Sequence, residues 1–347
     1  MAKQTQTALL EQPRRLNIVS RPRPVAGPGE VVVGVAATAV CHTDLEIYTG
    51  RHPGVHYPVV MGHEATGVVE EVGAGVTGLK PGQPVLLNPI IACGRCDCCL
   101  RGDEHLCRNA GLFGREVEGS LSQYVKLAAQ YVYALPKHLP LADATLIETL
   151  ATVRHAQERT GVARGESVLV IGQGTTGLLH TQLAAVTGAR PVIAVSRTKW
   201  KLDMAVRKGA HHAIEASAED AVGEVLRLTG GVGADVVIDT SGSAKSLMAG
   251  IEMLRPGGCL NPFAVSEEIV ASFSTFPLYY KEINIIGSRA LTRHDMAPSI
   301  ELVAAGKIDV SGFISATYPL NRTGAAFEDY ERNPGRILRI VIDSTGA

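Results

Sequence analysis

Short, mainly apolar runs alternate with turns over the first 150 residues. The runs lie at 31–35, 67–69 and 83–87. Turns containing Gly or Pro lie at 27–29, 73–75 and 80–82. Runs of this length, rich in β-branched residues and bounded by such turns, are typical of β-strands. The pattern predicts a compact, β-rich barrel for this part of the chain.

The pattern changes near residue 150. An apolar run at 167–171 precedes a helical stretch at 178–186, a second apolar run at 191–195 and a polar helix from about Thr198. Further strand-like runs lie at 235–239 and 258–260. Strands that alternate with helices indicate right-handed βαβ units and a parallel sheet covered on both faces.

This alternation predicts a domain over residues 151–287. Beyond about residue 288 the alternation is expected to be lost, and the chain is expected to rejoin the first domain. The predicted organisation is therefore one domain from 1–150 and 288–347, and a second from 151–287. A length of 347 residues agrees with about two domains.

Composition narrows the classes of partner. Charged residues make up 19% of the chain and the formal net charge is −1, whereas nucleic acids and anionic membranes require a concentrated basic surface. The first residues contain no apolar run of the kind found in signal peptides, and the uncharged stretch 167–189 contains too many Gly, Thr and Gln residues for a membrane span. The seven cysteines are clustered, which favours metal ligands in a reducing, cytoplasmic compartment.

Five of the seven cysteines lie between residues 93 and 107. Four of them have the spacing C-x2-C-x2-C-x7-C: Cys93, Cys96, Cys99 and Cys107. This spacing is typical of a structural zinc site that four thiolates close on all sides. Cys98 breaks the spacing and is interpreted as a non-ligand.

A second set of possible metal ligands lies outside this cluster. Cys41 occurs in C-H-T-D, and His63 and Glu64 occur in G-H-E. Thiolate, imidazole and carboxylate are the ligands of catalytic zinc sites, which keep one position open. One closed site and one separate open site indicate an enzyme with two zinc ions per chain.

A glycine motif marks a nucleotide site. Gly172, Gly174 and Gly177 form G-x-G-x-x-G directly after the strand at 168–171 and at the start of a helix. In this order the first glycine permits the tight turn, the second lets a pyrophosphate approach the backbone, and the third lets the helix pack on the strand. The positive helix N-terminus then faces the phosphates.

The end of the next strand selects the dinucleotide. About 20 residues after the glycines, where a carboxylate would bind the ribose 2′-hydroxyl of NAD, the chain has Ser196 and Arg197, with Lys201 nearby. A hydroxyl beside cations suits a 2′-phosphate, because arginine binds phosphate through two charge-assisted hydrogen bonds. We therefore expect NADP(H) to be preferred over NAD(H). The alternative is that these cations are only the solvated start of a helix.

Together these motifs, in this order and spacing, resemble the zinc-dependent medium-chain alcohol dehydrogenases over essentially the whole chain. The resemblance implies a GroES-like catalytic domain, a Rossmann domain and a final segment that returns to the first. It implies oxidation of an alcohol or reduction of a carbonyl, with a small-molecule alcohol or ketone as substrate. It also implies a homotetramer, with a dimer as the alternative.

Carried onto this sequence, the resemblance makes Cys41 and His63 ligands of the catalytic zinc. Where simple alcohol dehydrogenases have a third, cysteine ligand, this chain has Glu148, which resembles the polyol and threonine dehydrogenase branch. The branch has proline after this glutamate, but this chain has Thr149. Glu64 and Glu148 remain alternatives for the third ligand. In a further alternative, one of them contacts the zinc through a bound water.

The remaining roles also follow from the resemblance. Thr43 would hydrogen-bond the substrate oxygen and begin a proton relay, and Asp44 would orient His63. Many relatives have a relay histidine at the position of Glu46, so the proton exit stays open. His42 and Arg339 match positions near the cofactor pyrophosphate.

Three functions compete at this stage. The first is an NADP(H)-dependent zinc enzyme acting on a secondary alcohol or polyol and its ketone, with reduction favoured. The second is an aldehyde reductase or primary-alcohol dehydrogenase, and the third is a non-catalytic NADPH-binding protein. The substrate pocket is expected in loops at 48–57, 112–116 and 288–296. Three cationic candidates for an anionic substrate lie in the last loop: Arg289, Arg293 and His294.

Overall fold

The computed structural model of the chain describes residues 4–266, 268–270 and 273–346. The backbone separates into two compact units. The first contains the residues up to Thr149, Leu291–Gly306 and the residues from Val310 onward, and the second contains Leu150–Ala290 and Lys307–Asp309. Each unit has its own apolar core.

The first unit is rich in short strands. Its elements up to the unit boundary are β1 (Gln4–Gln12), β2 (Arg15–Pro22), β3 (Glu30–Val40), α1 (His42–Thr49), β4 (Val59–Val60), β5 (Glu64–Val72), β6 (Pro84–Leu87), β7 (Ile90–Ile91), α2 (Asp97–Leu100), β8 (Gly111–Leu112), β9 (Tyr124–Ala128), β10 (Val132–Ala134) and α3 (Leu141–Ala144). The boundary between the units falls within α4 (Leu146–Thr160).

The second unit alternates strands and helices. Its elements are β11 (Val168–Ile171), α5 (Thr175–Thr187), β12 (Val192–Ser196), α6 (Lys199–Arg207), β13 (His212–Glu215), α7 (Ala221–Leu228), β14 (Ala234–Asp239), α8 (Ala244–Met253), β15 (Leu254–Pro262), α9 (Phe276–Lys281) and β16 (Asn284–Ile285). The chain then adds α10 (Arg293–Ala304), β17 (Ile314–Pro319), α11 (Thr323–Arg332) and β18 (Arg339–Asp343) to the first unit.

The main sheet of the first unit has the strand order β10-β6-β5-β3-β18-β17, and β9 also pairs with β3. The long strand β3 is its centre, because β5, β9 and β18 all pair with it in antiparallel register. Valines on β3 alternate into a core of apolar side chains from these neighbours. The β-rich first domain that the sequence predicts is confirmed.

The prediction that strands and helices cease to alternate beyond about residue 288 is wrong. Strand β17 is followed by α11 and then by β18, which pairs with β17 in parallel. The crossover helix α11 buries Phe327 in the first core. The apolar run at 339–343 was missed because the segment before it is polar and contains Asn and Pro, a composition that favours loops.

In the second unit a six-stranded sheet has the order β13-β12-β11-β14-β15-β16, and every pairing in it is parallel. Strand β11 lies at the centre, with β12 on one side and β14 on the other. Its four residues are all buried, as expected for a strand covered on both faces. The order reverses at β11, so its carboxyl end is the place where such sheets bind nucleotides. None of the helices in the described ranges is long and apolar enough to cross a lipid bilayer.

Candidate active site

Helix α1 places the first candidate ligand. The helix begins directly after Cys41, and Asp44 in its first turn accepts the Cys41 N–H at 3.0 Å through Oδ2. The other oxygen, Oδ1, accepts the Gly62 N–H at 3.2 Å. Because Asp44 is only 1% exposed, these bonds are shielded from water. Asp44 therefore fixes both the backbone of Cys41 and the residue before His63.

Cys41 and His63 lie side by side. The Cys41 Sγ is 3.1 Å from His63 Nε2, and the other ring nitrogen, Nδ1, is 3.4 Å from Asp44 Oδ1. An imidazole with one nitrogen beside a soft donor and the other beside a carboxylate has the arrangement of a metal-binding histidine and its orienting partner. With a cation bound at Nε2, Nδ1 would carry the proton and face Asp44.

Burial and mutual contact shift the titration of these groups. Burial raises the pKa of Cys41, whereas the neighbouring His63 acts to lower it. Burial on its own would lower the pKa of His63, but its contacts with Cys41 and Asp44 outweigh burial and raise that pKa well above its ordinary value. Burial acts to raise the pKa of Asp44, but the contact with His63 and the hydrogen bond from the Cys41 N–H outweigh burial and lower that pKa.

Glu64 lies next to this pair, at the start of β5. Its Oε1 accepts a hydrogen bond from Arg339 Nη1 at 3.0 Å, and both residues are buried. Its Oε2 is buried and has no hydrogen-bond partner among the described residues. Burial raises the pKa of Glu64 against the opposing effect of Arg339. The carboxylate is therefore held on one side and unsatisfied on the other.

The donor atoms of Cys41, His63 and Glu64 all lie within 4.8 Å of one another, and all three residues are buried. Thiolate, imidazole and carboxylate are the donor types that suit a catalytic zinc ion. An unsatisfied carboxylate oxygen in this group would gain a partner from a bound cation. The residues present therefore fit a zinc ion, which Cys41, His63 and Glu64 would hold.

Glu148 lies close to this group without belonging to it. Two separate helices lie in this segment: α3 ends before Thr145, whose hydroxyl donates to the Ala142 carbonyl at 2.6 Å, and α4 starts afresh at Leu146. Glu148 lies in the first turn of α4 and is 6% exposed, so it is not a surface carboxylate. Burial and then the nearby Glu64 raise the pKa of Glu148 to about 8.

The other residues of the C-H-T-D motif lie on the first turn of α1. Thr43 is half-buried, whereas His42 is exposed. His42 Nε2 lies 3.6 Å from the carboxylate of Glu46, one turn further along the helix. Arg339 is buried on β18, where its guanidinium contacts Glu64, the Val40 carbonyl and Thr149. A role of His42 and Arg339 at the cofactor pyrophosphate stays a prediction.

The cysteine lobe brings its four thiols together. Cys96 Sγ is 3.5 Å from Cys99 Sγ and 3.7 Å from Cys107 Sγ, and Cys93 Sγ is 4.0 Å from Cys99 Sγ. A tetrahedral zinc ion with Zn–S distances of about 2.3 Å separates its sulfurs by about 3.8 Å. These four residues therefore fit a structural zinc ion. Cys98 is outside the group, and its sulfur accepts from Arg101 at 3.6 Å.

Four thiols this close do not ionise together unaided. Backbone N–H groups of Arg95 and Cys96 lower the pKa of Cys93 to about 6, whereas desolvation and the neighbouring thiols raise the pKa of Cys99 to about 12. A cation bound among them would remove this conflict, because it stabilises all four thiolates at once.

The glycine motif forms a tight turn at the carboxyl end of β11. Gly172 has a φ of +88°, and a Cβ on Gly177 would lie 1.9 Å from the Gly172 carbonyl oxygen. These two positions require glycine. Gly174 is the N-cap of α5, and a Cβ there would meet nothing within 4 Å. The open space beside Gly174 lies at a helix N-terminus, where a pyrophosphate fits.

Ser196 ends β12, and its Oγ accepts the Thr198 N–H at 3.2 Å. Arg197 is exposed, and Lys201 is half-buried with its ammonium 5.4 Å from the centre of the Trp200 ring. Burial lowers the pKa of Lys201. The three residues therefore share one end of β12 and the start of α6.

The sequence analysis missed a carboxylate at this place. Glu215 ends β13 and is the register partner of Ser196 in the parallel sheet. Its Oε1 accepts from Ser217 Oγ at 3.3 Å. The signal was hidden because β13 was not predicted: its sequence, His-Ala-Ile-Glu, has a single apolar β-branched residue.

Two of the predicted pocket loops meet. Arg115 Nη1 lies 3.4 Å from His52 Nε2, so the loop at 112–116 contacts the segment after α1. Arg293, in contrast, donates two hydrogen bonds, from Nε and Nη2, to the carboxylate of Glu104. This bidentate pair leaves Arg293 a poor candidate for binding an anionic substrate.

The sequence matches known families and proteins over nearly its whole length. Residues 27–137 match the family described as "Alcohol dehydrogenase GroES-like domain", and residues 175–305 match "Zinc-binding dehydrogenase". The chain is 34% identical to D-xylulose reductase A of Aspergillus niger, over 97% of this chain and 96% of the relative. It is 33% identical to L-threonine 3-dehydrogenase of Pyrococcus furiosus, over 89% of this chain and 88% of the relative.

Among solved structures, a "putative zinc-binding dehydrogenase" of Sinorhizobium meliloti 1021 bound to NADP superposes with a TM-score of 0.91. It is 29% identical, with 99% of this chain and all of the other covered. The sequence resemblance, the GroES-like fold and the parallel-sheet fold are thereby confirmed.

Proposed function

The chain belongs to the zinc-binding dehydrogenases with a GroES-like domain, in the polyol and threonine dehydrogenase branch, and we propose that it transfers a hydride between NADP(H) and a secondary alcohol or polyol and its ketone. The observation that carries the proposal is the buried donor group of Cys41, His63 and Glu64. The similarity to proteins named D-xylulose reductase A and L-threonine 3-dehydrogenase supports this substrate class.

Each residue of the site has a defined task. Zinc, when bound, supplies an electrophile that stabilises an alkoxide at neutral pH. Cys41, His63 and Glu64 would hold it, and Asp44 keeps the Nε2 lone pair of His63 directed at it. Thr43 would hydrogen-bond the substrate oxygen and relay its proton, giving up its own hydroxyl proton toward solvent as it takes the substrate's, and the reverse in the reduction direction. Burial of the donor group excludes water, which strengthens these electrostatic interactions.

Ser196, Arg197 and Lys201 would select the 2′-phosphate. A phosphate there would receive a hydroxyl hydrogen bond and one or two cationic contacts. Glu215 acts against this preference, because a carboxylate beside Ser196 repels a phosphate and suits a ribose hydroxyl. NAD(H) is therefore the second candidate cofactor, and the observation that favours it is Glu215.

The test is a pair of titrations with NADPH and NADH, followed through the fluorescence of Trp200, the single tryptophan of the chain. Arg197→Ala is expected to weaken NADPH binding about 10- to 100-fold, because a hydrogen bond to a charged group is worth about 1.5–3 kcal/mol, and to leave NADH binding nearly unchanged. Lys199→Ala is the matched control, since its exposed ammonium is engaged with Asp203.

Equal losses for both dinucleotides, or a wild-type preference for NADH, would overturn the NADP(H) assignment. A screen of secondary alcohols, polyols and primary alcohols then separates the leading proposal from an aldehyde reductase. Metal analysis separates both from a non-catalytic protein, which would lack the zinc ion at Cys41. A homotetramer in the cytoplasm belongs to the same proposal, and light scattering would distinguish it from a dimer.

A further inference from the structure

Thr149 lies in the first turn of α4, next to Glu148, at the position where the polyol and threonine dehydrogenase pattern has proline. Its side chain is 3% exposed. A proline has no side-chain polar atom and cannot replace a hydroxyl. The departure from the pattern therefore introduces one hydrogen-bonding group into the interior of the candidate metal centre.

This hydroxyl lies between two charged side chains. Arg339 Nη2 donates to Thr149 Oγ1 at 3.0 Å, and the Thr149 hydroxyl acts to lower the pKa of Glu64. Arg339 Nη1 donates to Glu64 Oε1 at 3.0 Å and to the Val40 carbonyl at 3.3 Å. The guanidinium thus links the Thr149 hydroxyl to the Glu64 carboxylate, and all three side chains are buried.

We propose that Thr149 is a positioning residue that, together with Arg339, holds Glu64 with its Oε2 turned toward the space between Cys41 and His63. This inference rests on the proposed metal centre. The hydrogen bond from Arg339 satisfies Oε1, which leaves Oε2 as the buried, unsatisfied oxygen of the carboxylate among the described residues. Glu64, and not Glu148, is then the carboxylate presented to the ion.

Loss of the hydroxyl has a specific consequence. Without Thr149 Oγ1, the Nη2 group of Arg339 loses its acceptor inside the protein, and an unsatisfied buried donor is costly. The guanidinium would turn toward the remaining acceptors, which are the Glu64 carboxylate and the Val40 carbonyl. Oε2 would then be drawn into the ion pair and away from the metal position.

The experiment compares Thr149→Val, which removes only the hydroxyl, with Thr149→Ser, which retains it. The zinc is replaced by Co²⁺, and the visible absorption of the cobalt is recorded as a difference from Cys41→Ser, so that the contribution of the cysteine lobe cancels. Thr149→Val is expected to alter this difference spectrum and to weaken Co²⁺ binding about 10- to 100-fold, the usual effect of losing a residue that orients a ligand. Thr149→Ser should restore both.

Thr160→Val is the matched control, because its buried hydroxyl on the same helix donates only to backbone carbonyls of that helix. A purely structural role of Thr149 would change the melting temperature but leave the cobalt spectrum as in the wild type, and that result would overturn the inference while the proposed function stands. If the wild-type protein binds no Co²⁺ that depends on Cys41, the proposed metal centre fails, and the inference fails with it.

Discussion

The two candidate metal centres are built in opposite ways. The cysteine lobe takes its four ligands from 15 consecutive positions, and three of them are partly exposed. The buried group takes its ligands from two segments, Cys41 on one side and His63 with Glu64 on the other, and relies on Asp44, Thr149 and Arg339 to hold them. One site is local and self-sufficient, and the other depends on contacts across the whole first unit.

The difference teaches what each kind of site requires. A closed structural site needs only four thiolates at suitable distances, because the ion itself organises the loop. A site that keeps a position open must hold its ligands by other means, since fewer bonds to the ion fix them. Buried charges with defined partners provide that support in this chain.

The largest effect is expected from the buried centre. Cys41→Ser should lower kcat/KM by about 1,000-fold or more, because the electrophile supplies several kcal/mol of transition-state stabilisation. Metal analysis should show the loss of one ion per chain, and the melting temperature should change by only a few degrees. Cys98→Ser is the control, because this cysteine lies outside the four-thiol group. Retention of activity and metal in Cys41→Ser would remove the basis of the comparison.

The cysteine lobe should respond in the opposite sense. Cys107→Ser is expected to release the lobe's ion and to lower the melting temperature by about 5–10 °C, because a structural ion contributes directly to folding free energy. The activity per remaining ion should stay within about fivefold, as no thiol of the lobe belongs to the buried group. Calorimetry and metal analysis measure the first effect, and steady-state kinetics the second. A lobe mutant that loses activity without losing stability would show that the two centres are not independent.

The smallest effect concerns pH and Glu148. In protein with no ion at the buried centre, burial and Glu64 raise the pKa of Glu148 to about 8, above its ordinary value of 4.5. Between these values the folded state keeps a proton that the unfolded state releases, so stability is present at low pH and is lost as pH rises toward 8. Glu148→Gln should remove that loss, which melting temperatures at pH 5, 6.5 and 8 would detect as a difference of a few degrees.

Glu158→Gln serves as the control for this last measurement, because that carboxylate lies on the same helix but is 56% exposed. Parallel pH curves for the wild type and Glu148→Gln would mean that folding does not raise the pKa of Glu148. The contrast between a charge-supported centre and a thiolate lobe would then rest on the ligands alone.

The sequence predicted what depends on local spacing. The four cysteines, the glycine turn after β11 and the strands around it all follow from patterns within about 15 residues. The motifs C-H-T-D and G-H-E offered Cys41, His63 and Glu64 as possible metal ligands, and the resemblance added Glu148. Neither the motifs nor the resemblance predicted the pairing of Arg339 with Glu64 and Thr149, because Arg339 is 275 and 190 positions away from them.

Glu215 and the strand β17 were missed for a related reason. Strand β13 is an edge strand with little apolar character, so its sequence gives a weak periodic signal. The parallel register nevertheless places its last residue, Glu215, beside Ser196. Strand β18 is mostly buried, but β17 alternates between half-buried and exposed positions. Register and pairing are properties of the folded sheet, and a linear pattern does not contain them.

The pairing of Arg339 with Glu64 also bears on when the protein can mature during its synthesis. At roughly 5–20 residues per second, a ribosome needs on the order of 14 to 55 s to extend the chain by the 275 positions from Glu64 to Arg339. During that interval Glu64 exists without its counter-ion, and the nascent chain also lacks the strand that carries it. We expect the cysteine lobe to capture its ion soon after residue 107 has emerged, and the buried centre to be loaded only after β18 is complete. Metal uptake would then follow the order in which the chain is made.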